Sequence, residues 1–238
     1  MDSINQIELD EIYRNMNPEE IPWNIEAPPN ALIELVERGK VKPCKTIDLG
    51  CGAGNYAIYL AGIGFDVTGV DISPTAIKMA KENAKKKGVK SNFLVADVLG
   101  DLDEVKETFD FAYDWELLHH IFPEERKKYV KNVHRILNPK GKYLSVCFNE
   151  KDPQFGGSGK YVKTRIGTVL YLSSEEELRN LFDPCFHHKR IKNDRDPWQI
   201  RASSSKLRFY GEELKDRLLS SIRKLPPGWR TRRAAQLA

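Results

Sequence analysis

The chain has 238 residues, of which 40% are hydrophobic and 30% charged, with a formal net charge of +4. That balance excludes a disordered polymer and suits one α/β domain with extra terminal segments. No apolar run approaches the roughly 20 residues needed to cross a bilayer, and the first twenty residues are acidic and polar where a secretory leader is basic and then apolar, so a cytoplasmic protein without a membrane partner is expected.

Four scattered cysteines, Cys44, Cys51, Cys147 and Cys185, form no CxxC pair, which argues against both a disulfide framework and a metal site. The charge is uneven. Residues 186–238 hold 14 Lys and Arg against 5 Asp and Glu, which leaves residues 1–185 acidic.

In chain order, residues 1–30 read as a polar amino-terminal arm. Pro28, Pro29 and Asn30 start a helix that carries Leu32, Leu35 and Val36 at helical spacing. Lys45 to Gly50 is a short apolar strand running into glycines, followed by a helix over 56–61. Phe65 to Asp71 has the β-branched content of a second strand, and Ser73 and Pro74 then cap a helix that Gly88 ends. Strands follow over 92–95 and 109–113, a helix over 124–137, a turn at Asn138–Gly141 and a fifth strand over 142–148. Strands alternating with helices predict an α/β fold: a doubly wound, mostly parallel, Rossmann-like sheet with helices on both faces, binding ligands beyond the carboxyl ends of its strands.

Between the first strand and its helix stands Asp48-Leu-Gly50-Cys51-Gly52-Ala-Gly54, where missing Cβ atoms allow a tight turn and close approach of a ligand. The spacing is GxGxG, not the GxGxxG of a dinucleotide fingerprint. Asp71 closes the next strand, where a carboxylate can accept hydrogen bonds from both hydroxyls of a ribose. Asp97 closes the third, placed to meet the exocyclic amine of an adenine between the apolar walls of Ile72 and Val98. A nucleoside ligand is expected.

The strings TIDLGCGAGNYAIYLAGIGFDVTGVDIS, NFLVADV and FDFAYDWELLHHI resemble the class I S-adenosylmethionine-dependent methyltransferases over roughly residues 20–185. The resemblance implies S-adenosyl-L-methionine as cofactor and S-adenosyl-L-homocysteine as product. It also implies that Asp48 and the turn Gly50, Cys51, Gly52 and Gly54 lie near the methionine part, Asp71 at the ribose, and Ile72, Asp97 and Val98 at the adenine. The look is closest to the thiopurine, thiol and tellurite-resistance branch of small-molecule methyltransferases, in which a tryptophan helps enclose the cofactor; here that is Trp23. That branch has a Gly in its W-x-x-G-x-P stretch, whereas this chain reads Trp23-Asn-Ile-Glu-Ala-Pro28.

Asp114 and His119, just after the fourth strand, are the catalytic candidates, with Asp114 also placed to order the cofactor end of the site. Three segments follow from this reading: an arm and lid over 1–30, a cofactor-binding domain over 31–185, and a basic extension over 186–238 with an amphipathic helix over 209–224. Gly156–Gly159 looks like a mobile loop, and the P-loop pattern fails because Gln154 and Tyr161 stand where it needs glycine and a hydroxyl residue. The favoured partner is a small-molecule acceptor handled by a monomer or homodimer. An RNA or protein substrate held by the basic tail stays open, although no NPPY-type tetrad follows the fourth strand. A catalytically inactive nucleotide-binding module also stays open.

Overall fold

The computed structural model describes residues 6–151, 155 and 159–186. The readings for Gly156 and Gly157 and for the basic extension with its helix over 209–224 fall outside the described residues.

Five strands, β1 (Lys45–Leu49), β2 (Asp66–Asp71), β3 (Asn92–Val95), β4 (Phe109–Trp115) and β5 (Leu137–Val146), form one sheet in the order β3-β2-β1-β4-β5. Every pairing is parallel. Helices α3 (Asn55–Gly62) and α4 (Pro74–Lys87) carry the chain one way along the sheet and α5 (Pro123–Ile136) carries it the other way. Right-handed crossovers therefore put them on opposite faces. The order reverses between β1 and β4, which opens a crevice at their carboxyl ends.

Local chemistry sets the helix boundaries. The Ser73 side chain accepts from the Ala76 amide at the start of α4, Pro74 occupies the first turn, and Gly88 ends the helix in the left-handed region. The last helix among the described residues, α6 (Glu175–Phe182), starts with a reciprocal capping box between Ser174 and Glu177. β1 is buried along nearly its whole length, as a central parallel strand covered on both faces must be.

Two expected elements differ. The alternation of strand and helix breaks between β3 and β4, where the connection contains no helix. Its backbone is satisfied by other means: Asp97 accepts from the Leu99 amide, and Asn132 of α5 donates to the carbonyls of Val98 and Gly100. The turn expected at Asn138–Gly141 is instead an insertion within β5. Leu137 pairs with Phe109 and Lys142 with Phe111, so the extra residues bulge out, with Lys140 at φ 68°.

Three further elements escaped the sequence reading. A hairpin joins β6 (Tyr161–Lys163) to β7 (Val169–Tyr171). The arm also holds helix α1 (Gln6–Asn15), which packs on α4, and the helix expected after Pro29 follows it as α2 (Asn30–Glu37). Asp10 of α1 is buried and accepts from the Ser73 hydroxyl at 2.7 Å and the Thr75 amide at 2.9 Å. Burial works against its charge, but these hydrogen bonds outweigh it and hold the carboxyl down at about 2. Around this anchor Tyr13, Ile21 and Ala76 form a small core of their own.

Candidate active site at the switch point

At the carboxyl ends of β1, β2 and β4 lies a cleft roofed by α1 and the segment after it. Of the expected site residues, the structure brings Trp23, Asp48, Gly50, Cys51, Gly52 and Asp71 to its wall. It adds Tyr13, Tyr56, Trp115, Glu116 and His120.

The glycine turn is fixed from beneath by Asp71, whose two carboxylate oxygens accept from the amides of Gly52 (2.8 Å) and Ser73 (2.9 Å). This one side chain ties the turn after β1 to the start of α4. Burial raises its pKa, and the two amides oppose that rise. Asp48 is pushed up to about 7, first by burial; the neighbouring Tyr113 phenol lowers it, while Asp71 and Asp114 add repulsion. Burial likewise holds the Cys51 thiol well above its usual range, so it stays protonated and is no nucleophile.

Gly52 sits at φ 52°, and a Cβ there would stand 2.6 Å from the Tyr13 hydroxyl. That hydroxyl accepts from the indole nitrogen of Trp23 at 2.8 Å. Glycine thus lets the arm close directly onto the turn. Gly52→Ala is expected to push Tyr13 off and to cost about 1–2 kcal/mol from the left-handed backbone alone. A thermal melt should show a fall of several degrees, and an unchanged melt would contradict the contact. Gly54 has a different role. Its missing Cβ admits Phe93 and Ala80 at under 3 Å, which is packing of α4 and β3.

The remaining expected residues lie off the cleft wall. Asp97 is exposed and caps its own turn, while Val98 is buried in the core on the α5 side. Ile72 is half-buried beside Asp71. Asp114 is fully buried, accepting from the hydroxyls of Tyr129, Tyr143 and Ser145. Burial raises it to about 6 against those three hydroxyls. Alternation along β4 sends it toward α5, away from the cleft. His119 is buried and stacked on Phe148 at 4.3 Å, with its pKa driven well down by burial. Its neighbour His120 is the histidine that faces the cleft, edge-on to Trp23 at 5.9 Å. Neighbouring positions turn to different sides, and the adjacent pair in the sequence carries no signal of which one does so.

A methyltransferase-domain family model matches residues 47–141, the stretch that runs from β1 into β5. A solved structure concerned with the conversion of a disulfide bond into a thioacetal group during echinomycin biosynthesis is 30% identical, covering 75% of this chain and 78% of that one with a TM-score of 0.62. The chain belongs to the class I S-adenosylmethionine-dependent methyltransferases.

The 2-heptyl-1-hydroxyquinolin-4(1H)-one methyltransferase of Mycobacteroides abscessus is 33% identical over 143 residues, 58% of this chain and 62% of the relative. The probable S-adenosyl-L-methionine-dependent methyltransferase TehB of Haemophilus influenzae is 28% identical over 120 residues, 50% of this chain and 41% of the relative. The chain therefore spans less than two thirds of the length of both curated relatives. The TehB relative bears out the branch that the sequence resembles. The cofactor of this methyltransferase family is S-adenosylmethionine, and a positive-φ glycine turn held by an acid on β2 fits such a ligand. Among the described residues no helix is long and apolar enough to cross a membrane.

Proposed function

We propose that the chain transfers the methyl group of S-adenosylmethionine to a small-molecule acceptor. The observation that carries this reading is the meeting of Asp71, the glycine turn and the Trp23–Tyr13 pair in one cleft at the switch point. Bound there, the cofactor supplies a methyl group activated on a sulfonium. The protein's part is to hold, orient and exclude water.

In this reading the Asp71 carboxylate, already fixed by two amides, uses its remaining lone pairs for the ribose hydroxyls. Asp48 and the turn over Gly50, Cys51, Gly52 and Gly54 border the methionine part. Ile72, Asp97 and Val98, just beyond the ends of β2 and β3, border the adenine. Asp114 acts from behind, fixing β4 against β5 and α5. Residues 1–30 serve as the lid over a cofactor domain formed by 31–185, in a protein working in the cytoplasm.

Enclosure by α1 and Trp23 supports a small acceptor. So does the Mycobacteroides abscessus relative, named for a hydroxyquinolone. Trp23→Ala removes the wall and the hydrogen bond to Tyr13, and is expected to weaken the cofactor about tenfold, near 1.4 kcal/mol, by calorimetry. The reading itself is tested by incubating the protein and S-adenosylmethionine with panels of thiols and aromatic hydroxyls and following S-adenosylhomocysteine by mass spectrometry. Product that depends on a small acceptor is expected. Product formed only with RNA or protein would contradict it.

A further inference from the structure

Glu116 immediately follows β4 and has φ 64°, in the region that non-glycine residues rarely adopt. Its amide is fixed by a 2.8 Å hydrogen bond to the Val146 carbonyl. The side chain lines the cleft and is half-buried, and its carboxylate has no hydrogen-bond or ion-pair partner among the described residues. His120 also lines this cleft, and its buried Nδ1 has no hydrogen-bond partner. A carboxylate left without a partner in a partly closed cleft, with an unsatisfied nitrogen in the wall behind it, indicates a polar ligand.

The surrounding wall is aromatic. Tyr56 and Trp115 meet edge to face at 6.0 Å, and Trp23 stands against His120. We propose that Glu116 is the general base of an aromatic-hydroxyl acceptor site, with His120, Tyr56, Trp115 and Trp23 forming the wall that holds the acceptor's ring. This deepens the methyl-transfer reading and rests on it.

The chemistry balances with the family's cofactor as methyl donor. The acceptor's O–H bond breaks toward a Glu116 carboxylate oxygen, and the acceptor oxygen bonds to the methyl carbon. The carbon–sulfur electron pair stays on sulfur, leaving a neutral thioether and a protonated Glu116. Burial raises the Glu116 pKa, which makes it a better base, and burial lowers His120 to about 4, which keeps it neutral near pH 7. The other titratable groups around the cleft are Tyr13 of α1, Asp48 of β1, Cys51 of the glycine turn, Tyr56 of α3 and Asp71 of β2.

Left-handed backbone at a glutamate carries strain that glycine does not. Glu116→Gly is therefore expected to raise the melting temperature while removing the base. The test uses 4-nitrophenol, whose absorbance reads its own ionisation, bound to the full chain in the presence of S-adenosylhomocysteine. A carboxylate beside the bound phenol disfavours the phenolate, so Glu116→Gln should ease ionisation of the bound probe at least about tenfold. S-adenosylmethionine affinity should stay within about threefold of the unsubstituted protein.

Failure of the unsubstituted protein to bind 4-nitrophenol would overturn the proposal. So would identical probe spectra in the unsubstituted and Gln forms, or loss of cofactor affinity in the Gln form, which would move Glu116 to the cofactor. If the unsubstituted protein itself fails to bind S-adenosylmethionine, the methyl-transfer reading falls, and this proposal with it.

Discussion

Asp71→Ala is expected to lower the affinity for S-adenosylmethionine by about a hundredfold or more, the largest effect of any single substitution in the cleft. The carboxylate has two tasks. It accepts the buried amides of Gly52 and Ser73, and each buried amide left without a partner costs about 1–3 kcal/mol. It also offers charge-assisted hydrogen bonds to the ribose, worth about 1.5–3 kcal/mol each. Loss of the ribose contacts alone accounts for a hundredfold, since each 1.4 kcal/mol is roughly tenfold. Loss of the amide contacts adds a fall in thermal stability. Asp71→Asn should recover only part of the stability, because its single amide oxygen can accept from Gly52 or from Ser73 but not from both, and little of the affinity. Calorimetry and melting curves on the two variants separate these tasks, and equal affinity in all three proteins would refute the assignment.

Arg126→Met is expected to give the largest loss of stability away from the cleft. Arg126 is 4% exposed, and its guanidinium donates to the carbonyls of Ile121 (2.6 Å), Leu118 (2.9 Å) and Tyr171 (3.3 Å) and to the Ser173 hydroxyl (2.6 Å). It also lies 4.6 Å from the centre of the Tyr171 ring. Burial pulls its pKa down, and the carboxylate of Glu177 acts only from a distance. One side chain thus joins the short helical turn Leu118–His120 to the β7 strand and to the residue that precedes the α6 cap. Methionine fills a similar volume but leaves those acceptors unsatisfied, at a cost of about 3 kcal/mol. The melting temperature should fall by roughly 6–12 °C, and a fall of less than about 2 °C would contradict the network. His120 hangs from the same turn, so acceptor turnover should suffer more than cofactor binding.

The sheet and half of the cleft were legible because their signals are local. A short apolar run, a glycine turn and an acid at the next strand end follow one another within 27 residues, from Lys45 to Asp71, and each constrains its neighbour. What was missed depends on distant partners. Asp10 reads as a solvated charge, yet Ser73 and Thr75, more than sixty residues away, bury it and make the arm part of the site. Asp114 looked like a strand-end acid pointing at ligand, but Tyr129, Tyr143 and Ser145 on later elements claim it. Glu116 was invisible for another reason. A non-glycine residue in left-handed backbone has no sequence signature, because the surrounding structure imposes that conformation on it.

The central claim is that the cleft at the β1–β4 switch point is a cofactor site, and isothermal titration of the full chain with S-adenosylmethionine and S-adenosylhomocysteine tests it most directly. The predicted result is saturable one-to-one binding of both ligands, abolished or severely weakened in Asp71→Ala. A folded protein that takes up neither ligand, or an Asp71→Ala variant that binds both unchanged, would contradict it.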